Sequence, residues 1–96
     1  MIAAFSITPL GLTDSVGDLV ADAVRVVRES GLPSETNAMF TNVEGEWDQV
    51  MGVIKAAVEV VAASAPRVSV VIKIDQRPGV DDALHGKVES IERRLR

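Results

Sequence analysis

The segment TNVEGEW, residues 41–47, holds the side chains of this sequence that are best suited to chemistry. Thr41 offers a hydroxyl, Glu44 a carboxylate, and Trp47, the chain's one tryptophan, a flat aromatic face. A carboxylate accepts hydrogen bonds from amino groups or balances a cation, and an indole stacks on flat or cationic rings. The combination fits a positively charged amino-heterocycle. An ordinary helix start, with Glu44 as a solvated charge and Trp47 at the end of an apolar stripe, explains the same residues.

Other reactive groups are few and scattered. Ser6 and Thr8 add two hydroxyls on one side of a predicted strand, and Asp75 fits a turn cap. His85 is the one histidine, and the chain has no cysteine, so neither a metal site nor a nucleophilic triad can be assembled. Gly45 between two glutamates offers no amide nest for a phosphate. The sequence therefore predicts no catalytic residues and no metal ligands.

The spacing of apolar residues in the first half predicts a strand and a helix. IAAFSIT, residues 2–8, alternates between an apolar and a small polar face, as a strand closed by Pro9 does. The next segment places apolar residues three and four apart, as an amphipathic helix does, and Ser15 and Asp18 are spaced as a capping box. Gly31 fits the left-handed position at the helix end.

The second half repeats strands and helices. Residues 34–46 predict two short strands in a hairpin, and a helix begins near Trp47 and ends before Pro66. RVSVVIKID, residues 67–75, alternates as a strand does. A narrow apolar stripe on a last helix, which we expect to be buried, is formed by Leu84, Val88, Ile91 and Leu95.

This order predicts an α+β fold of the ferredoxin-like βαββαβ type, with a four-stranded antiparallel sheet and a short C-terminal helix. Both main helices cover the apolar face of the sheet. The opposite face therefore stays open unless the last helix, a ligand or another subunit covers it.

Composition sets limits on the class of protein. The chain has 96 residues, of which 47% are hydrophobic and 25% charged, so we expect a single folded domain over residues 1–96. A formal charge of −4 argues against nucleic acid as a partner. The apolar start is too short to span a membrane and lacks a basic leader, so we expect a cytoplasmic protein with no membrane partner.

Several segments together resemble the YkoF-like thiamine-binding proteins, a family of small ferredoxin-like domains. They extend through nearly the whole chain in the family's order: FSITPLG (5–11), ESGLPSE (29–35), TNVEGEWDQVMGVIKAA (41–57) and VIKID (71–75). The combination of S-I-x-P-L-G with E-G-E-W-D and I-K-I-D is fairly specific.

The resemblance implies a function and a set of site residues. It implies binding of thiamine or its pyrimidine moiety, hydroxymethylpyrimidine, without catalysis and without a required cofactor. It also implies homodimers or homotetramers built through the sheets. The polar residue of the first motif falls on Ser6, and T-x-x-E-G-x-W falls on Thr41, Glu44 and Trp47. With Thr8, on the same face as Ser6, these residues form the predicted ligand-binding set.

Other functions remain open at this point. A structural or regulatory ferredoxin-like domain, whose open face serves oligomerisation without thiamine specificity, is the main alternative. An enzyme of the dimeric α+β barrel type would use a histidine or several aromatic residues inside the barrel, and none is predicted there. An RNA-binding module of this topology needs exposed aromatic residues on its first and third strands, where only Phe40 is a candidate.

Overall fold

The described part of the chain forms four strands and three helices, in the predicted order. The computed structural model describes residues 1–12, 14, 16–79 and 82–96. The elements are β1 (Ile2–Leu10), α1 (Val16–Glu29), β2 (Ser34–Thr36), β3 (Thr41–Glu44), α2 (Trp47–Ala62), β4 (Arg67–Asp75) and α3 (Ala83–Leu95). The prediction of an α+β, βαββαβ fold with a C-terminal helix is confirmed.

The strands form one antiparallel sheet in the order β2-β3-β1-β4. β1 pairs with β4 along its whole length and with β3 over residues 2–5. Successive side chains of a strand point to opposite faces, so Ala3 and Phe5 of β1 share a face with Val43 of β3. All three are buried in one cluster with residues of α1 and α2. The core therefore lies on one side of the sheet, under these two helices.

Helix α1 follows the predicted apolar spacing. Its buried residues are Leu19, Ala23 and Val27, which lie one turn apart on one side of the helix. Gly31 has φ 78°, the left-handed conformation predicted at the helix end, which glycine adopts without the strain that a β-carbon brings. Ser15, the first residue of the predicted capping box, lies outside the described residues.

The predicted end of the first strand at Pro9 is wrong. β1 continues to Leu10, with Pro9 buried and opposite Val68 of β4. The physical reason is that β3 accompanies β1 only as far as Phe5, so β1 has no neighbour on that side from Ser6 onward. A proline is tolerated where one side of a strand has no ladder to complete.

The predicted hairpin is present and turns on an asparagine. The side-chain oxygen of Asn37 accepts hydrogen bonds from the backbone N–H groups of Met39 and Phe40, each at 2.9 Å. Such a turn needs no Asn-Gly pair, because the side chain takes the place of a backbone acceptor. β2 and β3 then pair in antiparallel register with Glu35 opposite Asn42.

Helix α3 differs from the expectation in how it is buried. Leu84 is buried, but Val88 and Ile91 are each 56% exposed and Leu95 is 75% exposed. Within the described part of one chain, burial of the apolar stripe of α3 is therefore seen only at Leu84, and burial of its other three members stays a prediction. The reason is that α3 is fixed to the sheet through its first turn, as the contacts of Glu44 below show.

Candidate ligand-binding site

The face of the sheet opposite α1 and α2, the open face, carries the candidate site. Val43 points into the core, so Glu44 and Asn42 lie on the open face, as the alternation of a strand requires. Glu44 is opposite Ile2 in the β1–β3 pair. Ser6 and Thr8 are an even number of residues from Ile2 and lie on this same face.

Glu44 is a buried carboxylate that joins two distant parts of the chain. Glu44 is only 8% exposed. Oε2 accepts a hydrogen bond from the backbone N–H of Ala83 at 2.6 Å, and Oε1 accepts a longer one from Leu84 at 3.4 Å. The first N–H groups of a helix have no partner within the helix and carry partial positive charge. Glu44 therefore caps α3 and holds it across one end of the open face.

The residue at the start of α3 explains why a strand residue supplies this cap. Asp82 occupies the N-cap position with φ 55° and makes no side-chain cap hydrogen bond. Its carboxylate instead contacts His85, with Oδ1 2.9 Å from Nδ1. Sequence reasoning missed the Glu44 cap because an Asp before a helix is ordinarily its own cap.

His85 gives α3 a second attachment to the sheet. Its Nε2 lies 3.0 Å from Oε1 of Glu35 on β2, while Nδ1 faces Asp82. Sequence reasoning gave His85 almost no weight as a functional residue. The signal that could have found it is Asp82 three residues earlier, which places both side chains on one side of a helix. Glu35, fifty residues away, gave no such signal.

A polar cleft of about 420 Å³ opens beside Glu44. We call it the Glu44 cleft. Its ionisable walls are Glu44, Glu46, Asp82, Arg77 and the amino group of Met1, so three carboxylates face two cations. An ionised carboxylate has about four acceptor positions, and Glu44 uses two of them on α3. The cleft can therefore accept hydrogen bonds from an amino group and favours a cationic ligand.

The other four predicted site residues lie apart from Glu44. Ser6 is four residues further along β1 than the partner of Glu44, which corresponds to roughly 13 Å along a strand. Thr41 is buried on the opposite face, where its Oγ1 lies 3.2 Å from Oγ1 of Thr36. Trp47 begins α2 and is 49% exposed. Within the described part of one chain, the cleft walls include neither Ser6, Thr8, Thr41 nor Trp47.

Comparison with known proteins places this geometry in a family. The sequence profile described as "Thiamine-binding protein" matches residues 3–92. The chain belongs to this thiamine-binding protein family. It is also 58% identical over 96 residues to UPF0045 protein Mb1933 from Mycobacterium bovis, covering 99% of this chain and 94% of that protein.

Solved structures of similar sequence share the fold of this family member. A hypothetical protein from Methanocaldococcus jannaschii superposes with a TM-score of 0.86 at 35% identity, covering 95% of this chain and 94% of that one. A domain of unknown function from Bacillus cereus, DUF77, has a TM-score of 0.83 at 36% identity, with 91% and 85% covered. These solved structures therefore have the same arrangement of strands and helices as this chain.

Neither a membrane-spanning helix nor a cluster of metal ligands is present among the described residues of this thiamine-binding family member. No helix among them is both long and apolar enough to cross a membrane. They also include no group of three or more His, Cys, Asp or Glu side chains that could hold a metal ion.

We predict that the His85 attachment weakens as the pH rises. The hydrogen bond with Asp82, and then that with Glu35, raise the pKa of His85 above its ordinary value of 6.5. Only the protonated ring can donate from both nitrogens. A pKa that is higher in the folded state stabilises the protein fully below the unfolded value, and this contribution is lost as the pH rises through the folded value.

The measurement is the free energy of unfolding of the wild-type chain and of His85→Gln between pH 5.5 and pH 9, conditions that span roughly the usual titration range of histidine. The wild-type chain should exceed His85→Gln in free energy of unfolding by the most at the acidic end, and this difference should shrink towards the alkaline end. An advantage that is constant or grows with pH would contradict the assignment.

Proposed function

We propose that this protein binds thiamine or its pyrimidine moiety, hydroxymethylpyrimidine, in the Glu44 cleft and does not change it chemically. The observation that carries the proposal is a buried carboxylate with acceptor positions to spare, in a chain of the thiamine-binding protein family. Glu44 is the residue of the proposed ligand-binding set that faces the cleft.

The chemistry of the ligand supports this assignment. Thiamine carries an aminopyrimidine, whose amino group donates hydrogen bonds, and a cationic thiazolium ring. We assign the amino group to Glu44, where a charge-assisted hydrogen bond is stronger than a neutral one. Glu46 and Asp82, on the other walls of the cleft, supply negative charge for the thiazolium.

Binding without catalysis is consistent with how the chain's reactive groups are used. The one histidine is occupied by Asp82 and Glu35, and the sequence has no cysteine. Glu44, which keeps acceptor positions for the ligand, is assigned a hydrogen bond to the ligand's amino group rather than a proton transfer. The proposed role of the protein is therefore to hold the ligand.

The other residues of the proposed ligand-binding set do not line the Glu44 cleft and have separate proposed roles. Trp47 follows Glu46 in the chain and is half exposed, so we propose that its indole stacks on the part of the ligand that extends out of the Glu44 cleft. Thr41 acts indirectly by holding β3 to β2 through the Thr36 hydroxyl. Ser6 and Thr8 lie on the open face, and their proposed contact with ligand requires a second copy of the chain.

Self-association through the open face is part of the proposal, as a homodimer or homotetramer. Val71 on this face is 55% exposed, and the apolar residues of α3 after Leu84 are exposed too. The radius of gyration is 14.5 Å, whereas a compact domain of this length has about 12.5 Å. An elongated chain with uncovered apolar residues gains stability by burying them against a copy of itself.

Isothermal titration of the purified protein with thiamine and with hydroxymethylpyrimidine tests the proposal. We expect saturable heat, a higher melting temperature with ligand, and a change in Trp47 fluorescence. Glu44→Gln keeps the shape but removes the charge, so thiamine affinity should fall about tenfold or more. Glu89→Gln, an exposed glutamate on α3, is the matched control and should bind as the wild type does.

The absence of any heat or stability shift at millimolar ligand would contradict the proposal. The second candidate, an oligomerisation domain without thiamine specificity, is favoured by the exposed apolar residues of α3. The double variant Glu44→Gln with Trp47→Phe separates the two. If it changes the assembly while all ligand binding survives, the oligomerisation domain is the better account.

A further inference from the structure

A second cleft, of about 510 Å³, lies between the open face and α3. We call it the α3 cleft. The strand side contributes Ile2 and Asp75, and the helix side contributes Lys87, Ser90 and Arg94. Arg77, after the end of β4, is a further wall residue. Neither the family resemblance nor the proposed set of site residues uses this cleft.

The ionisable groups of the α3 cleft leave positive charge uncompensated. Lys87 forms an ion pair with Asp75, and its hydrogen bond is the main cause that lowers the pKa of the Asp75 carboxyl. Asp82 is bonded to His85. Among the residues that the structure describes, Arg77 and Arg94 have no carboxylate oxygen within 4.0 Å, the limit for an ion pair.

These two arginines line the same cleft. Arg94 Nη1 donates to Ser90 Oγ at 2.7 Å, which holds part of the guanidinium on the helix and leaves its other N–H groups for a ligand. Arg77 comes from the opposite, strand side. A guanidinium is planar, always charged and matched in geometry to phosphate oxygens. In a chain of net charge −4, this cleft is a local cationic region.

The α3 cleft adjoins the Glu44 cleft. Met1, Arg77 and Asp82 are wall residues of both. We call the two adjoining clefts the combined site: Glu44 and Glu46 line one cleft, Arg94 lines the other, and Arg77 lies where the two meet. A ligand that fits both ends has a cationic or amino-bearing heterocycle at one end and an anion at the other.

We infer that the combined site prefers a phosphate monoester of the heterocycle to the free alcohol, with the heterocycle at Glu44 and the phosphate between Arg77 and Arg94. This inference rests on the proposed function and names the form of ligand that the same site selects. A phosphate monoester brings about two negative charges and three acceptor oxygens, enough to engage both guanidinium groups. The hydroxyl of the free alcohol would leave both cations without a partner.

The test is a comparison of dissociation constants for thiamine and thiamine monophosphate by isothermal titration. The wild-type protein should bind the monophosphate about tenfold more tightly at low salt, and this preference should shrink as salt is added. Arg94→Gln should abolish the preference while leaving the affinity for unphosphorylated thiamine within about twofold. Arg77→Gln should also abolish it.

Arg93→Gln is the matched control, since Arg93 is on α3 but not among the walls of the α3 cleft. It should keep the wild-type preference. If thiamine binds and the monophosphate binds no better, or if the preference survives in both Arg77→Gln and Arg94→Gln, the inference is overturned while the proposed function stands. If neither ligand binds, both are overturned.

Discussion

Replacing Glu44 by alanine is expected to lower the free energy of unfolding by about 2 kcal/mol and to loosen α3 from the sheet. The reason is that the backbone N–H groups of Ala83 and Leu84 donate to the Glu44 carboxylate, and Glu44 is only 8% exposed. A charged acceptor makes such bonds stronger than neutral ones, and the helix start loses its compensating negative charge. Urea unfolding of the full chain measures the loss.

Two further variants show whether the loss arises at the cap. Glu89→Ala, on the exposed side of α3, should change the stability by less than about 0.5 kcal/mol. Glu44→Gln keeps one acceptor oxygen and should lose less than Glu44→Ala. Amide exchange at Ala83 and Leu84 should quicken in Glu44→Ala. Equal stabilities of Glu44→Ala and Glu89→Ala, with unchanged exchange at these two amides, would show that the cap contributes nothing.

A charge placed on the open face is expected to convert the assembly to monomers. Val71 is 55% exposed on this face, on the edge strand β4 and opposite Ser6 of β1. If copies associate there, Val71→Glu would bury two like charges across a symmetric interface, which costs several kcal/mol. Sedimentation equilibrium should show a dimer or tetramer for the wild type and a monomer for this variant.

The matched control lies on the helix side of the molecule. Val60 of α2 is 37% exposed, and Val60→Glu should leave the assembly unchanged. A monomeric wild-type protein would contradict self-association. The same loss of assembly in Val60→Glu and Val71→Glu would show that the open face is not the interface.

The order of elements could be predicted from the sequence because each element leaves a local pattern. The bounds of β4, residues 67–75, follow from apolar residues at every second position, and the left-handed Gly31 follows from the glycine after an amphipathic helix. Such signals depend on neighbours a few residues away. They identify helices and strands without saying where a helix such as α3 docks.

The role of Glu44 could not be predicted, because its partners are 39 and 40 residues away in the chain. Its choice of α3 as partner depends on the packing of Leu84 and the conformation of Asp82. Tertiary contacts of this kind leave no periodic signal.

One feature of the motif was predictable in principle. Thr41 and Glu44 are three residues apart on a strand, and an odd separation places side chains on opposite faces. The structure has Thr41 beside the helices and Glu44 on the open face. The two residues of T-x-x-E therefore cannot contact one small ligand from the same strand face, which is why the direct contact is proposed for Glu44 alone.

The most direct measurement is the mapping of thiamine onto the protein by amide chemical shifts in NMR. Binding in the Glu44 cleft predicts the largest changes at Gly45, Glu46, Ala83 and Leu84, because these amides adjoin the Glu44 carboxylate or the cleft wall. Changes confined to the open face around Ser6 and Thr8, or no changes at saturating thiamine, would contradict a ligand site at Glu44.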